Sequence, residues 1–115
     1  ESYRKAAIEK FLWEYEFSDL CGRKSIGKRD VVYAAGSLFR CAICLVQVLY
    51  AINGMYILNE KGSLDRLLRY KDAYIPEGFA KDIQSAMANI KPDDIGVCFD
   101  SMKNQYDLIR KYRAE

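Results

Sequence analysis

From Val31 to Asn59 the chain carries a single formal charge, Arg40. A helix drawn through so apolar a run is hydrophobic almost all round, so protein or lipid must cover most of it. Residues 41 to 59 hold no charge, near the span of about 20 residues that a bilayer demands. Gln47, Asn53 and Asn59 interrupt that span, and Arg40 borders it. The segments on either side are amphipathic and themselves need a partner to cover. The run is therefore read as the central, most buried helix of a soluble all-α core. Asp30 stands where an N-cap or a first-turn acid belongs, and the helix is expected to run to about Met55 or Leu58.

The flanking segments supply what that helix must pack against. Residues 2 to about 21 read as a first helix, with Ile8, Leu12 and Tyr15 on one side, joined by Phe11, Trp13, Phe17 and Leu20. Lys5 to Glu9 and Lys10 to Glu14 are i,i+4 pairs suited to an exposed face. Gly22 is placed as its C-terminal cap. A loop follows in which Arg23, Lys24, Lys28 and Arg29 are four basic residues in eight. Ser63 is expected to cap a short third helix through Leu64, Leu67 and Leu68, and Ile75 to Gly78 is a turn. A fourth helix carries Phe79, Ile83, Ala86, Met87 and Ile90 on one stripe. Pro92, with Asp93 and Asp94, opens a fifth, which turns Ile95, Cys98, Phe99, Met102, Tyr106 and Ile109 to the core. Its last turn is basic, as the helix dipole prefers. No alternating run suggests a strand. The expected fold is an antiparallel four-helix up-and-down bundle with a short extra helix, one domain over residues 1–115. A chain of 115 residues suffices for it without staples. The chain begins with Glu1 rather than methionine, and the expectation is the C-terminal part of a larger protein.

The absence of histidine narrows the chemistry most. It removes Ser-His and Cys-His nucleophiles, imidazole acid–base work and His-ligated metals. Cys41 and Cys44 form a C-x-x-C. A zinc site needs two further ligands, and a redox pair wants a helix N-terminus, so buried thiols are the better reading. With Cys21 and Cys98 they read as free thiols of a reducing, cytoplasmic compartment. Asp93-Asp94 is explained by the helix start rather than by a metal. The net charge of +2 argues only weakly for nucleic acid. The tyrosines at 3, 15, 70, 74, 106 and 112 show no stacking order and read as core and interface residues.

One stripe of the central helix differs from the rest: Tyr33, Ser37, Arg40, Cys44, Gln47, Ala51 and Gly54 follow 3-4 spacing. It is either the solvent edge or the lining of a cleft. An ordinary exposed face would carry Lys or Glu, which this stripe lacks. Arg40 offers a fork suited to phosphate or carboxylate, and Gln47 a donor one helical repeat away. After it come Tyr50, Asn53, Tyr56, Asn59, Glu60 and Lys61, read either as helix termination or as a polar mouth beside the stripe.

The runs Leu38-Phe39-Arg40, Gln47 to Asn53, and Tyr56 to Gly62 resemble the helical C-terminal domains that follow minimal nucleotidyltransferase domains. This is the HEPN-like, or nucleotidyltransferase substrate-binding, class, similar to the helical half of kanamycin nucleotidyltransferase. The resemblance covers about a quarter of the chain. It implies a four- to five-helix bundle that packs beside a catalytic domain and helps to hold a nucleotide or acceptor. It implies Arg40, Gln47, Asn53, Asn59, Glu60 and Lys61 as substrate-binding residues. Two departures limit it. Gly36-Ser37 lies inside a helix with no Asp-x-Asp after it, so the catalytic domain is not in this chain. Arg40 has no histidine after it, which removes the ribonuclease chemistry of the class.

The expected function is that of a substrate- or nucleotide-binding helical domain of a nucleotidyltransferase-type protein. The chain itself is expected to hold no cofactor and to catalyse nothing alone. Magnesium and a nucleoside triphosphate would sit on an N-terminal nucleotidyltransferase domain of the same polypeptide. Arg40 would contribute charge-assisted contacts, and Glu60 would act as general base toward an acceptor hydroxyl. The alternative is a non-catalytic protein-interaction or dimerisation module. Partners are then a nucleotide or small-molecule acceptor, or a second copy in a homodimer, rather than a membrane. RNA, resting on the basic loop alone, is disfavoured.

Overall fold

A computed structural model describes residues 2–57 and 59–114. It is all-α, with no strand among the described residues. Five helices follow in order: α1 (Ser2–Arg23), α2 (Val31–Ile52), α3 (Ser63–Leu68), α4 (Phe79–Ala88) and α5 (Ile95–Ala114).

The centre is α2, as its missing charges require. Leu38, Cys41, Leu45, Val48 and Leu49 are fully buried. By length and composition α2 is apolar enough to cross a membrane, and half of its most apolar stretch is covered by the rest of the protein. The Asp30 carboxylate accepts from the Tyr33 N–H at 3.1 Å and fixes the start of α2. Its end falls short of Met55: Asn53 is the C-cap, and Gly54 takes φ 72°, a left-handed turn that favours glycine. The other expected end, Leu58, lies outside the described residues.

Along α1, Ile8, Leu12 and Tyr15 face the core as expected. Trp13, Phe17 and Leu20 do not: they are more than half exposed, at 63%, 52% and 59%. Gly22 is not a cap but an inner residue of α1, and it is buried. A Cβ there would lie 2.3 Å from Phe99 Cζ and 2.8 Å from Ser37 Cβ. The glycine lets three helices meet, and α1 ends one residue later. Arg40 of α2 reaches Glu14 of α1 at 2.9 Å, and Cys41 lies against the Tyr15 carbonyl. With Gly22 against Ser37, these contacts run in opposite sequence directions, so α1 and α2 are antiparallel.

The remaining helices close over this pair. Arg23 joins Asp100 at 2.8 Å, and Arg110 joins Glu16 at 3.2 Å. The Tyr106 hydroxyl donates to Glu16 and its ring stacks on Tyr15 at 4.5 Å, which binds α5 to α1. Gln105 of α5 donates to Asp82 of α4 at 2.8 Å. Three expectations shift in detail. Ser63 does not cap α3; Gly62 occupies the cap with φ 72°, and buried Ser63 offers its carbonyl to the Tyr50 hydroxyl at 2.8 Å. The turn at Pro92 to Asp94 precedes α5, whose first helical residue is Ile95. The tyrosines do pair: Tyr15 stacks on Tyr106 and Tyr74 on Tyr112, and Tyr3 meets Tyr56 at a tilt of 38°.

Candidate functional site

The helix exit that was legible as a polar mouth is built around Asn53. Its side-chain amide donates to the Leu49 and Tyr74 carbonyls at 2.8 and 2.9 Å, and its oxygen accepts from the Tyr74 N–H at 2.6 Å. Asn53 is therefore spent on structure: it ties the end of α2 to the distant segment before α4. With Gly54 turned left-handed and the Met55 N–H bonded to the Tyr50 carbonyl at 2.7 Å, the chain turns away from the α2 axis. The Tyr56 ring then stands 5.7 Å from that of Tyr3, at the start of α1.

Between these pieces lies a cleft of about 430 Å³, within the range that small-molecule sites occupy. Small residues line part of it: Ala6 and Ala7 from α1, Ala51 and Gly54 from α2 and its exit. Tyr3, Phe11 and Tyr56 supply aromatic surface, Gln47 an amide, and Arg4 and Lys10 positive charge. Among the described residues that line it none is a carboxylate. Lys10 sits 5.1 Å above the Phe11 ring and only 3.9 Å from Glu14 at the edge. Two cations, an amide and exposed rings around a partly apolar hollow suit a planar organic anion.

Of the six residues singled out from the sequence, the cleft takes Gln47. Arg40 is exposed at a separate depression beside Phe17, Val32 and Tyr33, already bonded to Glu14. Glu60 borders a third, largely apolar groove of about 620 Å³ between α2, α3 and α4. Asn59 and Lys61 are exposed. The stripe on α2 is thus neither a plain solvent edge nor one continuous cleft. Cys44 on it is 1% exposed under α1, and the two halves open into different hollows. Tyr3, Arg4 and Lys10 were missed. The spacing of Tyr3, Ala7 and Lys10 puts them on one side of α1 and was the signal available.

The other candidates resolve locally. Cys41, Cys44 and Cys98 are buried free thiols, with Cys21 partly exposed. Burial, with Asp19 and Cys44 nearby, pushes the Cys41 thiol far up, and burial raises Cys44 to about 11. Arg23, read from the sequence as part of the basic loop, is the last residue of α1 and is held by Asp19 and Asp100, and Arg29 pairs with Asp93 at 2.9 Å. No cluster of three Cys, Asp or Glu side chains placed to hold a metal ion occurs among the described residues. No protein-family model, curated protein or solved structure matches the chain.

Proposed function

We propose that this chain is the helical substrate-binding domain of a nucleotidyltransferase-type protein, and that the cleft between α1 and the exit of α2 holds the nucleotide. The observation that carries the reading is the lining of that cleft: Arg4, Lys10 and Gln47 beside the Tyr3 and Tyr56 rings. Cations attract the phosphates, and the rings offer a face to the base. This chain binds and orients. Bond-making, with magnesium, belongs to a catalytic domain elsewhere in the polypeptide, as the resemblance implies. On the same reading the helices form an antiparallel four-helix up-and-down bundle with α3 as the extra turn. The antiparallel α1–α2 pair and the clamp of α5 on α1 support that arrangement.

Calorimetric titration of the chain with a nucleoside triphosphate and magnesium tests the proposal. Binding is expected, with Lys10→Ala weakening it about tenfold and Arg40→Ala leaving it unchanged. A triphosphate that binds the Lys10→Ala protein as well as the unaltered one places the ligand elsewhere and sinks the reading. A second reading has an observation of its own. Trp13 and Phe17 stack at 5.6 Å on the outer face of α1 while more than half exposed. Such a face suits a non-catalytic interaction or dimerisation module. Sedimentation equilibrium separates the two: a monomer at high concentration removes dimerisation.

A further inference from the structure

Tyr56 and Met55 line two hollows, not one. The second is a depression of about 570 Å³ whose other described lining residues are Arg66, Arg69 and Tyr70. Among its described lining residues too there is no carboxylate. The two hollows therefore meet at one residue pair. Arg4 and Lys10 line the first hollow and Arg66 and Arg69 the second, with Met55 and Tyr56 common to both. Tyr3, Tyr56 and Tyr70 are 66%, 64% and 46% exposed, so their rings are available to a ligand. Arg69 shares its charge with Asp65 at 3.1 Å, in an ion pair open to water on both sides, which competes only weakly with another anion. Arg66 lies 6.0 Å from the Tyr50 ring, which steadies it.

We propose that these hollows form one track and that the track binds a single strand of nucleic acid, at least two nucleotides long. The inference rests on the reading of the first hollow as a nucleotide site. Its own ground is the second hollow. A lone nucleotide has one base and one phosphate group to place, and the first hollow already offers both contacts. A further pair of cations and a further exposed ring match the next nucleotide of a chain. Alternating positive charge and stacking surface is how single strands are held without reading their sequence. The net charge of +2 does not oppose this, because the local field in the track, not the sum over the surface, attracts the phosphates. Acidic peptides lack the planar groups that three exposed tyrosines would stack.

The test is fluorescence anisotropy of a labelled single-stranded hexanucleotide with the whole chain, run beside titrations with a nucleoside triphosphate and with a hexaglutamate peptide. The hexanucleotide is expected to bind at least about tenfold more tightly than the triphosphate. Its log affinity should fall with log salt. Arg66→Gln with Arg69→Gln should abolish the tenfold advantage and reduce the salt slope by about 0.7 for each arginine removed. Triphosphate binding should not change in that variant. Tyr56→Ala should weaken the strand about tenfold, and Tyr56→Phe should restore it. Should the arginine pair fold poorly, Tyr70→Ala reads the same hollow through its ring. A strand that binds no better than the triphosphate, or that ignores the Arg66 and Arg69 changes, overturns the track and leaves the nucleotide site standing. Hexaglutamate binding as tightly as the strand overturns it as well. If neither nucleotide nor strand binds, both proposals fall.

Discussion

Gly22 shows how much one missing atom decides. Alanine in its place would gain up to about 1 kcal/mol of helix propensity. The new methyl, however, would sit 2.3 Å from Phe99 and 2.8 Å from Ser37. Phe99 is fully buried and has nowhere to swing, so overpacking of about 1–3 kcal/mol wins. Gly22→Ala should therefore lower the melting temperature by several degrees, and a thermal melt by circular dichroism checks it. An unchanged or higher Tm would mean that α1 lies farther from α5 than described. Asn53 makes a different case, because its importance is polar. Its side chain makes three hydrogen bonds, two that hold the α2 exit to Tyr74 and one to the Leu49 carbonyl within the helix. Asn53→Ala should cost about 2 kcal/mol in urea unfolding. Asn53→Asp should not rescue it, since the two donated bonds are lost and a carboxylate is set against the Leu49 and Tyr74 carbonyls. A fully stable Asn53→Asp protein would refute this account.

At the level of elements, α2 depends on a defined start. The Asp30 carboxylate receives the Tyr33 N–H, and the Asp30 carbonyl accepts from the Ala34 N–H at 3.0 Å. Asp30→Ala should destabilise by about 1 kcal/mol, and Asp30→Ser should recover most of it; chemical denaturation of the three proteins decides. This cap was readable because aspartate sits directly before a run whose single charge is Arg40. So were α2 itself and the apolar residues of the buried face of α5, from Ile95 to Ile109, whereas the buried amide of Gln105 on that face gave no signal of its own. The face of α1 was less legible. Trp13, Phe17 and Leu20 are as apolar as Ile8 and Leu12, and hydrophobicity does not say which of two apolar faces finds a partner. The end of α2 was overrun because Met55 and Ile57 continue the apolar pattern after the cap; only Gly54 marks the break. The cleft was harder still. Its cations come from the first turns of α1 and its amide from the far half of α2, so no local spacing joins them. Arg40 drew attention as the one charge on α2, yet that charge is met by Glu14.

Across the whole molecule, the titrating groups that the fold perturbs most are weak acids inside it. Burial first, then neighbouring acids such as Asp19, drives Tyr15 and Cys41 far above their ordinary values. Burial raises Cys44 to about 11, and raises Cys98 and Tyr50. Tyr106 is pushed up to about 12 by burial and by its bond to Glu16, against the pull of Arg110. All are neutral when protonated, and the folded state holds their protons more tightly than the unfolded chain. The stability they contribute is fully present below the unfolded thiol value of 9.0 and is lost progressively above it, until pH passes through the folded value, about 11 for Cys44. For Cys44, 1% exposed, that gap corresponds to on the order of 3 kcal/mol. The other buried thiols and phenols add losses in the same direction. The melting temperature should therefore fall steeply between about pH 9 and pH 11. Cys44→Ala, which removes the titrating group, should flatten part of that fall even if it lowers stability at neutral pH. Native-state thiol labelling at pH 8 gives the independent readout: Cys21, partly exposed, should react, while Cys41, Cys44 and Cys98 should react only on unfolding. A melting temperature that holds level to pH 11, or a Cys41 thiol labelled in the folded protein, would show that this core is open to water, and the helix packing described above would fall with it.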